Sequence, residues 1–216
     1  MQTDTDKEIL VHIPVDGVTL EGALAIPTNA QGLVLFVHGS GSSRFSPRNN
    51  FVAGELRNAG LGTLLIDLLT RIEDQDYERR FDIPLLTQRV LRVNSWLQTQ
   101  PQTRKLALGY FGASTGAAAA LQAAADPGNK VNAVVSRGGR PDLAGAQALG
   151  QVRCPVLLMV GGNDDVVIEL NQQAHARLVC PKELVIVPGA THLFEEPGTL
   201  EQVAKLAADW FRHHLR

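Results

Sequence analysis

Residues 105–125 read KLALGYFGASTGAAAALQAAA, and this stretch decides the fold. An apolar run, 105–111, leads directly into Gly112-Ala113-Ser114-Thr115-Gly116, and an alanine-rich segment of helix length follows. This order predicts a strand, a sharp turn and a helix, with Ser114 at the turn. Small residues on both sides of Ser114 permit the strained backbone that such a turn requires. The turn would hold the serine hydroxyl clear of the sheet, at a helix N-terminus, as a nucleophile needs.

Short apolar runs alternate with helix-length segments on both sides of this stretch. The predicted strands are 33–37, 62–66, 105–111, 131–136, 155–160 and 183–187, and the predicted helices are 50–58, 84–98, 115–125, 141–149, 168–179 and 200–213. Strands that are apolar on both faces and alternate with helices indicate an α/β protein whose parallel sheet is covered on both sides. Two earlier runs, 9–15 and 18–26, alternate apolar and polar residues around Asp16-Gly17, which predicts an antiparallel hairpin at one edge.

Length and composition exclude several classes of protein. A chain of 216 residues with 44% hydrophobic residues suits one globular domain, residues 1–216. The net charge of −2 gives no electrostatic footprint for nucleic acid, and no apolar run approaches the roughly 20 residues of a membrane helix. The polar, acidic start is unlike a secretory signal, and only two cysteines occur. We therefore expect a cytoplasmic protein with neither a nucleic-acid nor a membrane partner.

A nucleophilic serine needs a base, and two later strand ends supply the missing groups. Asp164 and Asp165 follow the strand 155–160, and His192 follows the strand 183–187. In parallel sheets, functional residues gather at the carboxyl ends of the strands. The chain order of serine, acid and histidine is the one found with this type of turn. We expect His192 to take the Ser114 proton and Asp164 to orient the imidazole, with Asp165 as the alternative acid or as a cap of the next helix.

The loop after the first parallel strand reads HGSGSS over residues 38–43. An oxyanion that forms on the substrate needs two backbone N–H donors, one after the nucleophile and one from this early loop. The predicted donors are the amides of Thr115 and Ser40. His38 is interpreted as a brace for the loop.

Arginines are the candidates for substrate recognition. Five fall on the same predicted rim of the sheet: Arg44, Arg48, Arg71, Arg137 and Arg140. Our hypothesis is that one or two of them, with Arg44 and Arg137 as candidates, bind a substrate carboxylate in bidentate fashion. The alternative is that they pair with the acidic residues of 73–78 or face solvent. The long segment 67–82 is a candidate lid, and little sequence is left for a separate cap domain.

Over essentially its whole length the chain resembles the α/β-hydrolase superfamily. The loop at His38, the turn at Ser114, the turn at Asp164 and the loop at His192 match it in order and position. The run HGSGSSRFSPR, residues 38–48, resembles the branch related to dienelactone hydrolases. The resemblance implies a sheet of about eight strands and hydrolysis of an ester or lactone through an acyl-enzyme. Dienelactone hydrolases proper carry a cysteine in the turn, so Ser114 moves the expectation toward a serine esterase.

Other functions remain open from the sequence. The same triad could serve a thioesterase or an acyltransferase, because the triad fixes the reaction type and the pocket fixes the substrate. A non-catalytic binding protein of the same fold is an alternative from a different class. A nucleotide-binding oxidoreductase fits less well, since Arg44 stands where the third glycine of its fingerprint belongs. We expect a small ester or lactone as the substrate, and neither a cofactor nor a metal.

Overall fold

The computed structural model describes residues 8–216. Its eight strands are β1 (Ile9–Val15), β2 (Val18–Ala25), β3 (Gly32–Val37), β4 (Gly62–Ile66), β5 (Ala107–Ala113), β6 (Ala133–Arg137), β7 (Val156–Gly161) and β8 (Lys182–Val187). Its α-helices are α1 (Pro47–Asn58), α2 (Ile83–Thr99), α3 (Thr115–Ala125), α4 (Ala146–Gln151), α5 (Asp165–Arg177) and α6 (Thr199–His214). Short 3₁₀ helices lie at Glu73–Gln75, Glu78–Phe81 and Pro141–Ala144.

All eight strands form one sheet in the order β1-β2-β4-β3-β5-β6-β7-β8. The β1–β2 and β2–β4 pairs are antiparallel, and every pair from β4 to β8 is parallel. The predicted fold class is therefore confirmed: a mostly parallel sheet of eight strands with an antiparallel hairpin at one edge. No cap domain is inserted between the elements of the described chain.

Apolar side chains on the two faces of the sheet form two separate cores. On one face α2 and α3 pack together, and Ala118, Ala119, Ala120 and Ala123 of α3 are fully buried. On the other face α1 packs against α6, and Leu56 and Phe211 are fully buried there. Burial of both faces explains why the parallel strands are continuous apolar runs instead of alternating ones.

Two helix boundaries differ from the sequence prediction for local reasons. Helix α1 begins at Pro47 instead of residue 50, because Ser46 caps it by accepting the amide of Asn49 at 3.3 Å. The helix predicted over 141–149 is divided at Gly145, whose φ of +83° no α-helix accommodates. None of the helices within residues 8–216 has the length and apolarity that crossing a membrane requires.

Candidate active site

Ser114 lies on a strained turn between β5 and α3. Its φ of +51° and ψ of −126° are unusual for a residue with a side chain. The backbone around it is held from both directions: the Ser114 amide donates to the carbonyl of Arg137 at 3.3 Å, and the amide of Arg140 donates to the Ser114 carbonyl at 3.0 Å. Backbone strain of this kind persists only where the surroundings enforce it, and it is concentrated at functional sites.

The sequence-predicted base and acid are in direct contact. His192 Nδ1 lies 2.7 Å from Asp164 Oδ2, while Asp165 is exposed at the start of α5. The Asp164 side chain is 15% exposed and that of His192 is 39% exposed, so the carboxylate is sheltered and the imidazole reaches solvent. A carboxylate can only accept this hydrogen bond, so Nδ1 carries the proton and Nε2 is left as the basic nitrogen.

Backbone contacts fix the loops that carry these two residues to each other. The amide of Asn163 donates to the carbonyl of Ala190 at 2.9 Å, and Asn163 Nδ2 donates to the carbonyl of Gly189 at 3.0 Å. Farther along the histidine loop, Glu196 accepts both the amide of Thr191 at 3.0 Å and its hydroxyl at 2.6 Å. These two hydrogen bonds hold the pKa of the Glu196 carboxyl below its usual value. The position of Asp164 relative to His192 is therefore determined by the loops and not by the hydrogen bond between the two side chains alone.

Ser114 and His192 line one pocket of about 260 Å³. The loop after β3, the first turn of α1 and the ends of β5 and β6 complete its wall. The structure thus brings Ser114 and His192 to one cavity, with Asp164 behind the imidazole.

The two predicted oxyanion donors differ in their contacts. Thr115 is the first residue of α3, so its amide has no carbonyl partner within the helix. The Ser40 amide, in contrast, donates to Thr115 Oγ1 at 2.9 Å. Its role as a second donor stays a prediction, and that role requires the Thr115 hydroxyl to release the amide.

His38 is a brace for its loop, as interpreted from the sequence. The amide of Leu68 donates to its Nε2 at 3.1 Å, so Nδ1 carries the proton and donates to the carbonyl of Gly39 at 2.9 Å. Burial lowers the pKa of His38, which keeps the ring neutral in this role. The imidazole thereby links the ends of β3 and β4.

The two arginine candidates have different environments. Arg44 is engaged by carboxylates, since Nη1 pairs with Asp67 and Nη2 lies 2.6 Å from Glu21 Oε2. It is also absent from the wall of the Ser114 pocket. Its acidic partners lie outside 73–78, and its role as a substrate ligand stays a prediction. Arg137, however, lines the pocket.

Segment 67–82 does not form part of the pocket wall. Arg89 Nη2 of α2 pairs with Glu73 Oε1 of this segment at 2.7 Å, and Arg80 Nε pairs with Asp74 Oδ1 at 2.9 Å within the segment. Arg89 is itself buried in α2. The pocket is consequently open on this side and is not covered by the long segment.

Sequence reasoning missed Phe194, which anchors the histidine loop. It has a φ of +56° although it is not glycine, and its side chain is 1% exposed. Its amide donates to the carbonyl of Thr191 at 3.2 Å, closing a turn around His192. The only signal in the sequence was a bulky apolar residue two positions after the histidine.

Gly116 offers a test of how tightly the turn is packed. A Cβ at this position would lie 2.1 Å from the carbonyl oxygen of Val37 and 2.5 Å from that of His38. We expect Gly116→Ala to cost about 3 kcal/mol or more, because backbone atoms have to move. For a protein of this size the melting temperature should fall by roughly 10 °C.

The matched control is Gly54→Ala in the middle of α1, where a Cβ would meet only the Arg57 side chain, at 3.9 Å. We expect this variant to gain about 0.5–1 kcal/mol from helix propensity. Thermal unfolding of both variants measures the contrast. An unchanged melting temperature in Gly116→Ala would show that the turn is more adaptable than the structure indicates.

The sheet order, with a serine at the turn after β5 and the acid and histidine after β7 and β8, is that of the α/β-hydrolase class. A Pyrococcus furiosus esterase shares this fold with a TM-score of 0.78 at 18% identity, covering 97% of this chain and 94% of its own. The family model of the dienelactone hydrolase family matches residues 20–215, and the chain belongs to that family. A dienelactone hydrolase from Anabaena variabilis is 55% identical with a TM-score of 0.94, covering 98% of this chain and 100% of its own.

Curated relatives carry a different kind of name. Proteins from two strains of Mycobacterium tuberculosis, provisionally named phosphoribosyl transferases, are 59% identical over 205 residues. The match covers 95% of this chain but 46% of theirs, so the chain spans about half the length of these relatives. The family and the similar structures support a hydrolase as the general activity.

Proposed function

We propose that this chain hydrolyses a small carboxylic ester or lactone through an acyl-enzyme on Ser114. The observation that carries the proposal is the 2.7 Å contact between His192 Nδ1 and Asp164 Oδ2, with the same imidazole lining the pocket of Ser114. The pocket volume of about 260 Å³ lies below the roughly 300–1,000 Å³ of most small-molecule sites, which favours a small substrate.

In the proposed reaction, His192 Nε2 takes the Ser114 proton as Oγ attacks the carbonyl carbon of the ester. The bond from that carbon to the alcohol oxygen then breaks, and the imidazolium returns the proton to the leaving alcohol. Water then gives a proton to His192 and attacks the acyl carbon, the bond from that carbon to Ser114 Oγ breaks, and the imidazolium returns the proton to Oγ. Asp164 holds the tautomer and stabilises the imidazolium in both steps. The proton transfers in these steps involve only the three side chains and water.

The developing oxyanion is assigned to two backbone amides. The Thr115 amide, at the N-terminus of α3, is the first donor and gains from the helix dipole. The Ser40 amide becomes the second donor when the Thr115 hydroxyl, which now accepts it at 2.9 Å, turns away. Each donor of this kind contributes about 10²–10³ in kcat in hydrolases of related chemistry.

Alternative functions use the same chain differently. A thioesterase or an acyltransferase would share the acyl-Ser114 intermediate and differ only in the leaving group or the acceptor. We do not assign phosphoribosyl transfer to this chain, because the relatives with that provisional name are about twice as long as the region that matches it. A non-catalytic binding protein would need neither a strained Ser114 nor a paired His192.

A fluorophosphonate probe tests this proposal directly. We expect one adduct per chain, mapped to the peptide that contains Ser114, because the probe requires an activated hydroxyl and an oxyanion site. Labelling should slow by at least about 100-fold in His192→Ala, which removes the base. A panel of p-nitrophenyl acetate, a small lactone and a thioester then ranks the substrate classes. Labelling of another serine, or ester cleavage without any labelling, would contradict the proposal.

A further inference from the structure

Two guanidinium groups share the pocket of Ser114. Arg137 is the last residue of β6, and its carbonyl accepts the Ser114 amide at 3.3 Å. Arg48 is the second residue of α1. Both side chains line the same cavity as Ser114 and His192. Arg48 precedes Ser114 in the sequence and Arg137 follows it, so the two side chains converge only in the folded structure.

Arg137 is a buried cation without a carboxylate partner. It is 8% exposed, and none of the ion pairs among the described residues involves it. Its Nη2 donates to Asn49 Oδ1 at 3.3 Å, and its Nε has no partner within residues 8–216. A guanidinium has five donors, and buried charges in proteins are normally paired. Burial, followed by the charge of Arg48, lowers the pKa of Arg137 to about 10, so the group is still cationic at neutral pH.

Arg48 is only partly neutralised. Its Nη1 lies 2.8 Å from Glu195 Oε1, and its Nε is buried with no partner in the described chain. Glu195 is 60% exposed and follows the histidine loop, so solvent screens this pair. Among the described residues, the exposed carboxylate of Glu195 is therefore the acidic partner for the two guanidinium groups of the pocket, and it pairs with Arg48.

The remaining donors at this wall suit a tetrahedral anion. Ser42 and Ser46 line the pocket, and Ser46 is the N-cap of the twelve-residue helix α1. Ser46 Oγ accepts the amide of Asn49 at 3.3 Å, which leaves its hydroxyl proton for a ligand. Pro47 has no N–H and the Asn49 amide donates to Ser46 Oγ, so the first turn of α1 contributes the Arg48 amide and the helix dipole. Arginine pairs are also favourable for phosphate. A phosphate monoester carries a charge of about −1.5 to −2 at pH 7, which matches two cations better than one carboxylate does.

We infer that Arg48 and Arg137, with the N-terminus of α1, form a subsite for a phosphoryl group, and that the substrate of Ser114 is a carboxylic ester bearing such a group. The inference rests on the proposed function and specifies its substrate class. The phosphoryl group stays intact: the bond that breaks joins the acyl carbon to the alcohol oxygen, and water supplies the hydroxyl of the acid. Glu195 occupies Arg48 until the ligand replaces it.

Binding of inorganic phosphate to the Ser114→Ala protein tests the subsite without any turnover. We expect calorimetry or ³¹P NMR titration to show phosphate binding in a 1:1 ratio, with acetate much weaker at equal ionic strength. Arg137→Gln and Arg48→Gln should each raise the dissociation constant about tenfold or more, because each removes charge-assisted hydrogen bonds. Glu195→Gln should lower it several-fold, since the competing carboxylate is gone. Arg212→Gln, on the exposed face of α6, is the control for losing one positive charge and should change nothing.

The outcomes separate the subsite from the proposed function. Acetate binding as well as phosphate would overturn the phosphoryl assignment, and so would equal weakening by Arg212→Gln. Absence of binding in a folded protein would overturn the subsite even if the wild type cleaves neutral esters. Because the Arg48 side chain is 34% exposed, Arg48→Gln is the variant that tests the subsite if Arg137→Gln fails to fold. In the wild type, an acetate ester of glycerol phosphate should give a higher kcat/KM than the ester of glycerol itself.

Discussion

Ser114→Ala is expected to lower kcat/KM for p-nitrophenyl acetate by at least about 10⁴-fold while the protein remains folded. Loss of the nucleophile in a serine triad removes nearly all of its advantage, leaving only binding and oxyanion stabilisation. The Ser114 hydroxyl does not cap α3 with a hydrogen bond, so its removal costs the helix no capping interaction. Steady-state hydrolysis and a thermal unfolding curve, measured on the same preparation, give both quantities.

Ser95→Ala is the matched control for this variant. Ser95 is exposed on α2, and its hydroxyl only donates back to the carbonyl of Leu91. Its kcat/KM should equal that of the wild type. If Ser114→Ala retained more than a few per cent of the wild-type rate, another group would have to be the nucleophile. A melting temperature that fell together with the rate would instead mean that the turn itself had collapsed.

The parallel sheet and the placement of Ser114, Asp164 and His192 at one edge of it could be predicted from sequence, because both depend on local patterns. Strands buried on both faces are apolar throughout, and each ends at a polar turn that marks the carboxyl edge of the sheet. Ser114, Asp164 and His192 each follow such a strand end, and β5, β6, β7 and β8 lie side by side as parallel strands, so all three residues lie at the same edge of the sheet. The structure differs at the first helix, which begins at Pro47 after the Ser46 cap.

The role of each arginine could not be predicted, because it depends on contacts between distant parts of the chain. Glu21 lies on β2, and Arg44 meets it only because β2 pairs with β4, whose end carries Asp67. By the same kind of long-range placement, Arg137 meets Asn49 and no carboxylate among residues 8–216. The hydrogen bond from the Ser40 amide to the Thr115 hydroxyl joins residues 75 positions apart. The sequence around neither residue indicates it.

The two neighbouring carboxylates at the end of β7 should respond very differently to neutralisation. Asp164→Asn is expected to lower kcat/KM by about 10⁴-fold, as loss of the orienting acid does in serine proteases. The amide would donate to His192 Nδ1 and force the proton onto Nε2, which removes the base that Ser114 requires. Asp165→Asn should leave kcat/KM within about threefold, because that side chain is exposed and carries no contact with His192.

Thermal stability should rank the same two variants in the opposite order to activity. Asp165 is the acidic residue in the first turn of α5, so Asp165→Asn should cost about 0.3–1 kcal/mol through the helix dipole while activity is kept. Asp164→Asn keeps the shape of the side chain, and the loops around it are held by Asn163 and Glu196. Its fold should therefore persist while its activity is lost. Hydrolysis and thermal unfolding of both variants, measured side by side, test this contrast. If Asp165→Asn were the inactive variant, the loop after β7 would have to rearrange during catalysis, because among the carboxylates of residues 8–216 it is Asp164 that contacts the imidazole.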